Sequence, residues 1–225
     1  MNPQTLPLTA QQLADLMPDA TQLDSDEPEM ESSLHYAQLA LLVACLEWLW
    51  QERSDFFIGA NLTIYFSREQ LKNKDFRGPD FFLVKQTEKR PRRSWVVWEE
   101  GGQYPDIIIE LLSPGTAQVD RTLKKARYQD RFRTPEYFWF SPDTLEFEGY
   151  QLMGQQYADI TPNAKGWLWS EVLNLFLGVQ DGVLRYFQPS SELIPTPEEA
   201  AVKAQLEAQQ AQTEVRQATD AGSGG

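Results

Sequence analysis

Apolar residues first recur at helical spacing. Leu39, Leu42, Val43, Leu46, Leu49 and Trp50 line one side of a helix predicted from about Pro28 to Gln51. The pattern then shortens to compact apolar runs bounded by polar or turn residues. These predict strands at Asn61–Phe66, Asp80–Lys85, Ser94–Trp98 and Asp106–Leu112. Ser113-Pro114-Gly115-Thr116 breaks the last run and leads into a helix from about Ala117 to Phe132. Glu136–Phe140 reads as a further strand, and Leu145–Leu152 with Gln156–Ile160 as a hairpin. Short apolar runs follow at Leu173–Val179 and Val183–Phe187. From Glu198 onward Ala, Gln and Glu dominate. Leu206 is nearly the only large apolar residue there, so an exposed helix or the start of a coiled coil is expected.

The order of helix, strands, helix and strand predicts a mixed α/β (α+β) core. We expect one domain over residues 28–190, an acidic lead-in over 1–27 and a polar tail over 191–225. With 41% hydrophobic residues and seven tryptophans, the chain can bury a real core. Its most apolar stretch, Leu39–Trp50, is too short to span a bilayer, and Met1–Leu23 lacks the basic and apolar regions of a signal peptide. Cys45 is alone and expected to be a buried thiol, which fits a reducing cytoplasm.

The net charge of −13 bears on partners, and its distribution matters more than its size. Residues 1–31 hold seven acids and no Lys or Arg, whereas residues 32–190 hold 20 acids and 18 bases. Two basic clusters stand out in that nearly neutral middle: Lys85, Lys89, Arg90, Arg92 and Arg93, then Arg121, Lys124, Lys125, Arg127, Arg131 and Arg133. Either can meet a phosphate backbone, or be a solvated surface. Lys89, Arg90, Arg92, Arg93, Lys125 and Arg127 are the expected contacts to such a backbone.

The candidate chemistry lies on two strands. Asp80 opens one, and Glu110 interrupts Ile107-Ile108-Ile109 and Leu111-Leu112, a run typical of a strand buried on both faces. A carboxylate there is costly unless compensated, and two on neighbouring strands suggest a shared cation. Mg²⁺ or Mn²⁺ needs one or two carboxylates and keeps several waters, and the Leu111 carbonyl can add a third oxygen. A lysine close by then stabilises developing negative charge or orients the attacking water. Asp120, Lys124 and Tyr128 are spaced by four and share a helix face; Lys125 turns away and is expected to face solvent. Glu31 and His35 share another face and are further candidates. Plainer roles exist for each: a turn cap for Asp80, a structural ion pair for Glu110, a surface pair for Asp120 and Lys124, helix-start capping for Glu31 and His35, and packing for Tyr128. His35 is the only histidine, so multi-histidine zinc sites and His-dependent triads are excluded.

Several stretches together resemble the Uma-type restriction endonuclease family, a branch of the PD-(D/E)xK nuclease superfamily, over roughly residues 24–197. They are Glu31 with His35; Gly78-Pro79-Asp80; Ser94–Gly101; Ile108–Pro114 with Thr116; Asp120, Lys124 and Tyr128; and Pro135–Phe138. The resemblance implies a restriction-endonuclease-like αβββαβ core with a mixed sheet, extra strands after it, and divalent-metal hydrolysis of DNA. Asp80 then matches the PD aspartate and Glu110 the second acid. Leu112 stands where the family's lysine usually falls, and Lys124 on the next helix is expected to substitute for it. Ser141 stands where similar sequences carry an Asp before Pro, a turn position of little chemical weight. Because cutting both strands uses two active sites, a homodimer is expected. Two other readings remain: a catalytically silent nucleic-acid-binding or regulatory protein on this fold, and a metal-dependent hydrolase of another phosphoester.

Overall fold

The computed structural model describes residues 23–27, 30, 32–67, 70, 78–113 and 120–222. The first helix, α1, spans Ser33–Leu49 and starts where Ser32 accepts the His35 N–H. It starts later than the pattern predicted; residues 28, 29 and 31 lie outside the described set. Its inner side carries Leu39, Leu42, Cys45 and Leu46.

The strands are β1 (Phe56–Ala60), β2 (Ile64–Tyr65), β3 (Phe81–Lys85), β4 (Trp95–Val96), β5 (Ile107–Leu111), β6 (Glu136–Phe140), β7 (Phe147–Met153) and β8 (Gln156–Asp159). Three more follow: β9 (Leu168–Ser170), β10 (Leu175–Gln180) and β11 (Val183–Phe187). Between β5 and β6 runs α2, Asp120–Phe132, and Pro197–Gly222 forms α3. The central sheet has the order β1-β3-β5-β6-β7-β8 and is antiparallel except at β5/β6. That parallel pair needs a crossover, and α2 lies in it. Strands β11-β10-β9 form a second, antiparallel sheet.

The expected αβββαβ core is present as α1, β1, β3, β5, α2 and β6, with one substitution. The first strand is Phe56–Ala60, which the apolar pattern did not single out. Two expected strands shrink: Asn61–Phe66 to Ile64–Tyr65, and Ser94–Trp98 to Trp95–Val96. They pair in parallel as a ribbon outside the central sheet.

Side-chain alternation divides the core between two faces of the sheet. Phe81, Leu83, Ile107, Ile109, Phe138 and Phe140 meet α1 and the second sheet. Phe82, Val84, Ile108, Leu112, Tyr137 and Trp139 meet Tyr128 and Phe132 of α2 and the β2/β4 ribbon. Each such buried large apolar side chain contributes on the order of 2 kcal/mol. Gln38 joins α1 to the edge of the second sheet. Its amide donates to the Leu184 carbonyl at 3.0 Å and accepts the Leu184 N–H at 2.9 Å. Glu136 does the same for the two sheets. It accepts Ser170 Oγ and the Glu171 N–H from the turn after β9, and burial pushes its carboxyl above the ordinary glutamate value.

Residues 23–27, the end of the acidic lead-in, are bonded across the ribbon. Ser94 Oγ donates to the Leu23 carbonyl, Tyr65 to the Asp24 carbonyl, and Thr63 Oγ1 to Glu27. Helix α3 is exposed over residues 201–214, as its composition predicts. Among the described residues no helix is long and apolar enough to cross a membrane.

Candidate active site

Glu110 sits on β5, whose neighbours β3 and β6 cover both its edges, and its side chain is fully buried. It points to the face beneath α2. A carboxylate in such a place requires partners. Lys124 Nζ stands 3.0 Å from Glu110 Oε2, and the Tyr128 hydroxyl donates to Oε1 at 2.5 Å. Lys124 is itself mostly buried. The lysine expected from helical spacing is therefore the one that meets Glu110.

Helix α2 is wound unusually. Asp120–Lys124 and Tyr128–Phe132 are π-helical, with one α turn, Lys125–Arg127, between them. Wider winding still keeps residues four apart on one side, so Lys124 and Tyr128 reach the same carboxylate. Asp120 opens this helix, but its side chain lies outside the described residues, as do Glu31 and Thr116. Lys125 differs from expectation. It turns onto the Tyr150 ring, 3.2 Å from the centroid, and is half-buried rather than facing solvent. Burial lowers its pKa, opposed by the charges of Asp159 and Glu148.

Asp80 precedes β3, half-buried. Antiparallel register pairs Phe81 with Ile109, and one further step sets Asp80 opposite Glu110 on the same face. Asp80 Oδ2 accepts the Leu111 N–H at 2.7 Å. In an extended strand the N–H and C=O of one residue leave on the same side, so the Leu111 carbonyl points toward the Asp80 end as well. The Asp80 loop is held from behind. Its carbonyl accepts the Asn61 N–H at 2.7 Å, and Glu27 accepts the Gly78 N–H. Only glycine suits position 78, because a Cβ there would lie 2.4 Å from the Leu62 carbonyl oxygen. Glu27 escaped the sequence reading: its partner is 51 residues away and no local pattern marks the contact.

The donor set comprises two carboxylates and a carbonyl. Among the described residues no three of His, Cys, Asp and Glu form a ready metal cage. Two carboxylates with a peptide oxygen nonetheless fit a small hard cation that retains several waters, as Mg²⁺ and Mn²⁺ do. His35 stands apart. It is buried on α1, against the opposite face of the sheet, and bonds to Ser32 Oγ at 2.7 Å.

Four members of the first basic cluster pair with acids, and Lys85 donates to the Val172 carbonyl at 2.9 Å. Lys89 pairs with Glu47, Arg90 and Arg92 with Glu100 at 2.8 and 2.6 Å, and Arg93 with Asp24 at 3.2 Å. Arg92, expected on the DNA side, is only 2% exposed and lies over the Phe57 and Trp95 rings. Burial of its stem against aromatics and the shared Glu100 explain why it is inside. Arg127 is half-buried on α2.

Comparison with known proteins bears on the fold and the family. The fold is similar to a crystal structure from Anabaena variabilis, described as a putative nuclease belonging to DUF820. The TM-score is 0.50 at 16% identity, covering 78% of this chain and 97% of that one. At that identity the likeness is one of fold. No curated protein matches the chain. The Uma2 family model, described as "Putative restriction endonuclease", matches residues 21–183. That span takes in every strand of the central sheet and both acids, and by it the chain belongs to the Uma2 family.

Proposed function

We propose that the chain is a divalent-metal-dependent endonuclease that hydrolyses DNA phosphodiester bonds. One observation carries this reading: a fully buried glutamate on β5 takes its lysine from the following helix, with a second acid beside it just before β3. Asp80, Glu110 and the Leu111 carbonyl would hold Mg²⁺ or Mn²⁺. A cation bound there polarises the phosphoryl oxygens and lowers the pKa of a bound water. Lys124, on the helix side, stabilises the negative charge that develops at phosphorus. Lys125 and Arg127, both half-buried on the short α turn that follows Lys124, are the remaining expected DNA contacts. Cutting both strands takes two such sites, so two chains pair on the substrate. The buried, unpaired thiol of Cys45 suits a reducing cytoplasm.

A second reading, a catalytically silent nucleic-acid-binding or regulatory protein, draws on the pairing of Lys89, Arg90, Arg92 and Arg93 with acids, which leaves less positive charge to hold DNA for cutting. Supercoiled plasmid incubated with Mg²⁺ or Mn²⁺ separates the two. Nicking by the native chain that is lost in Glu110→Ala and Lys124→Ala supports the nuclease. Metal-independent nicking, or none at any salt concentration, overturns it. Retained DNA binding would then favour the second reading.

A further inference from the structure

We propose that Tyr128 is a positioning residue that sets the plane of the Glu110 carboxylate and so governs metal affinity; the inference rests on the metal reading above. The two oxygens of Glu110 have different partners. Oε1 accepts the Tyr128 hydroxyl, and Oε2 faces Lys124. A carboxylate rotates freely about its last bond unless something fixes one oxygen, because that torsion is broad and two-fold. Of these two groups Tyr128 is the rigid one. It is fully buried, with its ring 5.5 Å from Phe132 and 5.4 Å from Tyr137. Lys124 has a flexible stem, and the proposed reaction uses its charge toward phosphate. Tyr128 thereby pins the inner oxygen and leaves the direction of the outer one determined.

A buried phenol needs an acceptor wherever it lies, and backbone carbonyls are the commonest choice. This one spends its proton on a carboxylate proposed to be a metal ligand. Partners that orient a ligand typically change metal affinity by 10–100-fold when removed. Tyr128→Phe deletes the hydroxyl and leaves the ring between Phe132 and Tyr137. Phe132→Leu is the opposite control, disturbing packing without touching the hydroxyl.

The test is Mn²⁺ binding to the full chain, followed through the free-ion EPR signal, with thermal melting measured alongside. The expected result has four parts. Glu110→Ala loses the site, Tyr128→Phe binds at least about tenfold more weakly, and its melting temperature stays near native. Phe132→Leu melts lower yet binds Mn²⁺ with native affinity. Native affinity in Tyr128→Phe, with binding lost in Glu110→Ala, overturns this inference alone. Equal weakening in Tyr128→Phe and Phe132→Leu also overturns it, since packing then explains the effect. Native binding in Glu110→Ala overturns the metal reading itself.

Discussion

Lys124 Nζ and Glu110 Oε2 form a 3.0 Å ion pair between a helix and the middle of a sheet, 14 residues apart in sequence. Removing the lysine takes the paired charge from a buried carboxylate. Lys124→Ala is expected to cost on the order of 3 kcal/mol in urea unfolding, as for broken buried pairs. Glu110→Gln keeps the shape and removes the charge, so it should cost less while abolishing cleavage. A smaller loss for Lys124→Ala than for Glu110→Gln would contradict the pair's structural weight.

Gly78 holds the Asp80 loop against Leu62. A methyl group there meets the Leu62 carbonyl oxygen at 2.4 Å and Glu27 Oε1 at 3.0 Å. Gly78→Ala is expected to destabilise by about 1–3 kcal/mol, the usual range for overpacking. It should also lower Mn²⁺ affinity, because Asp80 moves with the loop. Calorimetry on this variant reads both effects in one preparation.

Glu136 gives a pH dependence of known sign. Burial raises its folded pKa, opposed by its bonds to Ser170 and to the Val172 and Glu171 amides. A carboxyl with a raised folded pKa binds its proton more tightly when folded. Its stabilising contribution is therefore complete below the unfolded pKa and is lost as pH rises through the folded value. Asp106, also raised by burial, acts in the same direction. Their share of the stability, read from urea midpoints, should fall as pH climbs from the ordinary carboxylate range through the raised values, opposite in sign to that of Glu199, whose bond to Arg185 lowers its pKa. In Glu136→Gln, which keeps an acceptor for the Glu171 amide, that slope should flatten. An unchanged slope would assign the dependence elsewhere.

Gln38 satisfies both backbone groups of Leu184 on the open edge of β11. Gln38→Leu leaves a buried N–H and C=O without their bonds, each worth about 1–3 kcal/mol. A loss of at least 2 kcal/mol, on the order of the lower end for two groups, is expected in denaturant titration. Hydrogen exchange at the Leu184 amide should accelerate.

Cys45 is 1% exposed, and burial pushes its thiol pKa up to about 11. Native protein should resist a thiol reagent at neutral pH and take one equivalent when unfolded. Rapid native labelling would mean that α1 separates from β11.

The contact between Glu110 and Lys124 was legible because it breaks local rules. A glutamate inside Ile-Ile-Ile-Glu-Leu-Leu conflicts with its surroundings, and spacing by four chooses Lys124 over Lys125. Strand β1 was not legible. Gly59 interrupts Phe56–Ala60, and its reason lies across the sheet, where the Phe82 ring occupies the space of a Cβ. The length of β2 and β4 was misjudged because their apolar residues serve a ribbon over α2's face rather than a place in the main sheet. The basic cluster looked like a surface because its acids come from elsewhere. Glu47 lies 42 residues from Lys89, and Asp24 lies 69 from Arg93. Contacts of that range follow from topology, which local patterning does not encode.

Because the lysine rides on α2 while the acids ride on strands, the site is assembled by docking rather than by one rigid ladder. A shift of α2 would part Lys124 and Tyr128 from Glu110 together while leaving the sheet whole. The π-wound helix over β5 thus bears on both contacts at once, through its packing rather than through the strand ladder.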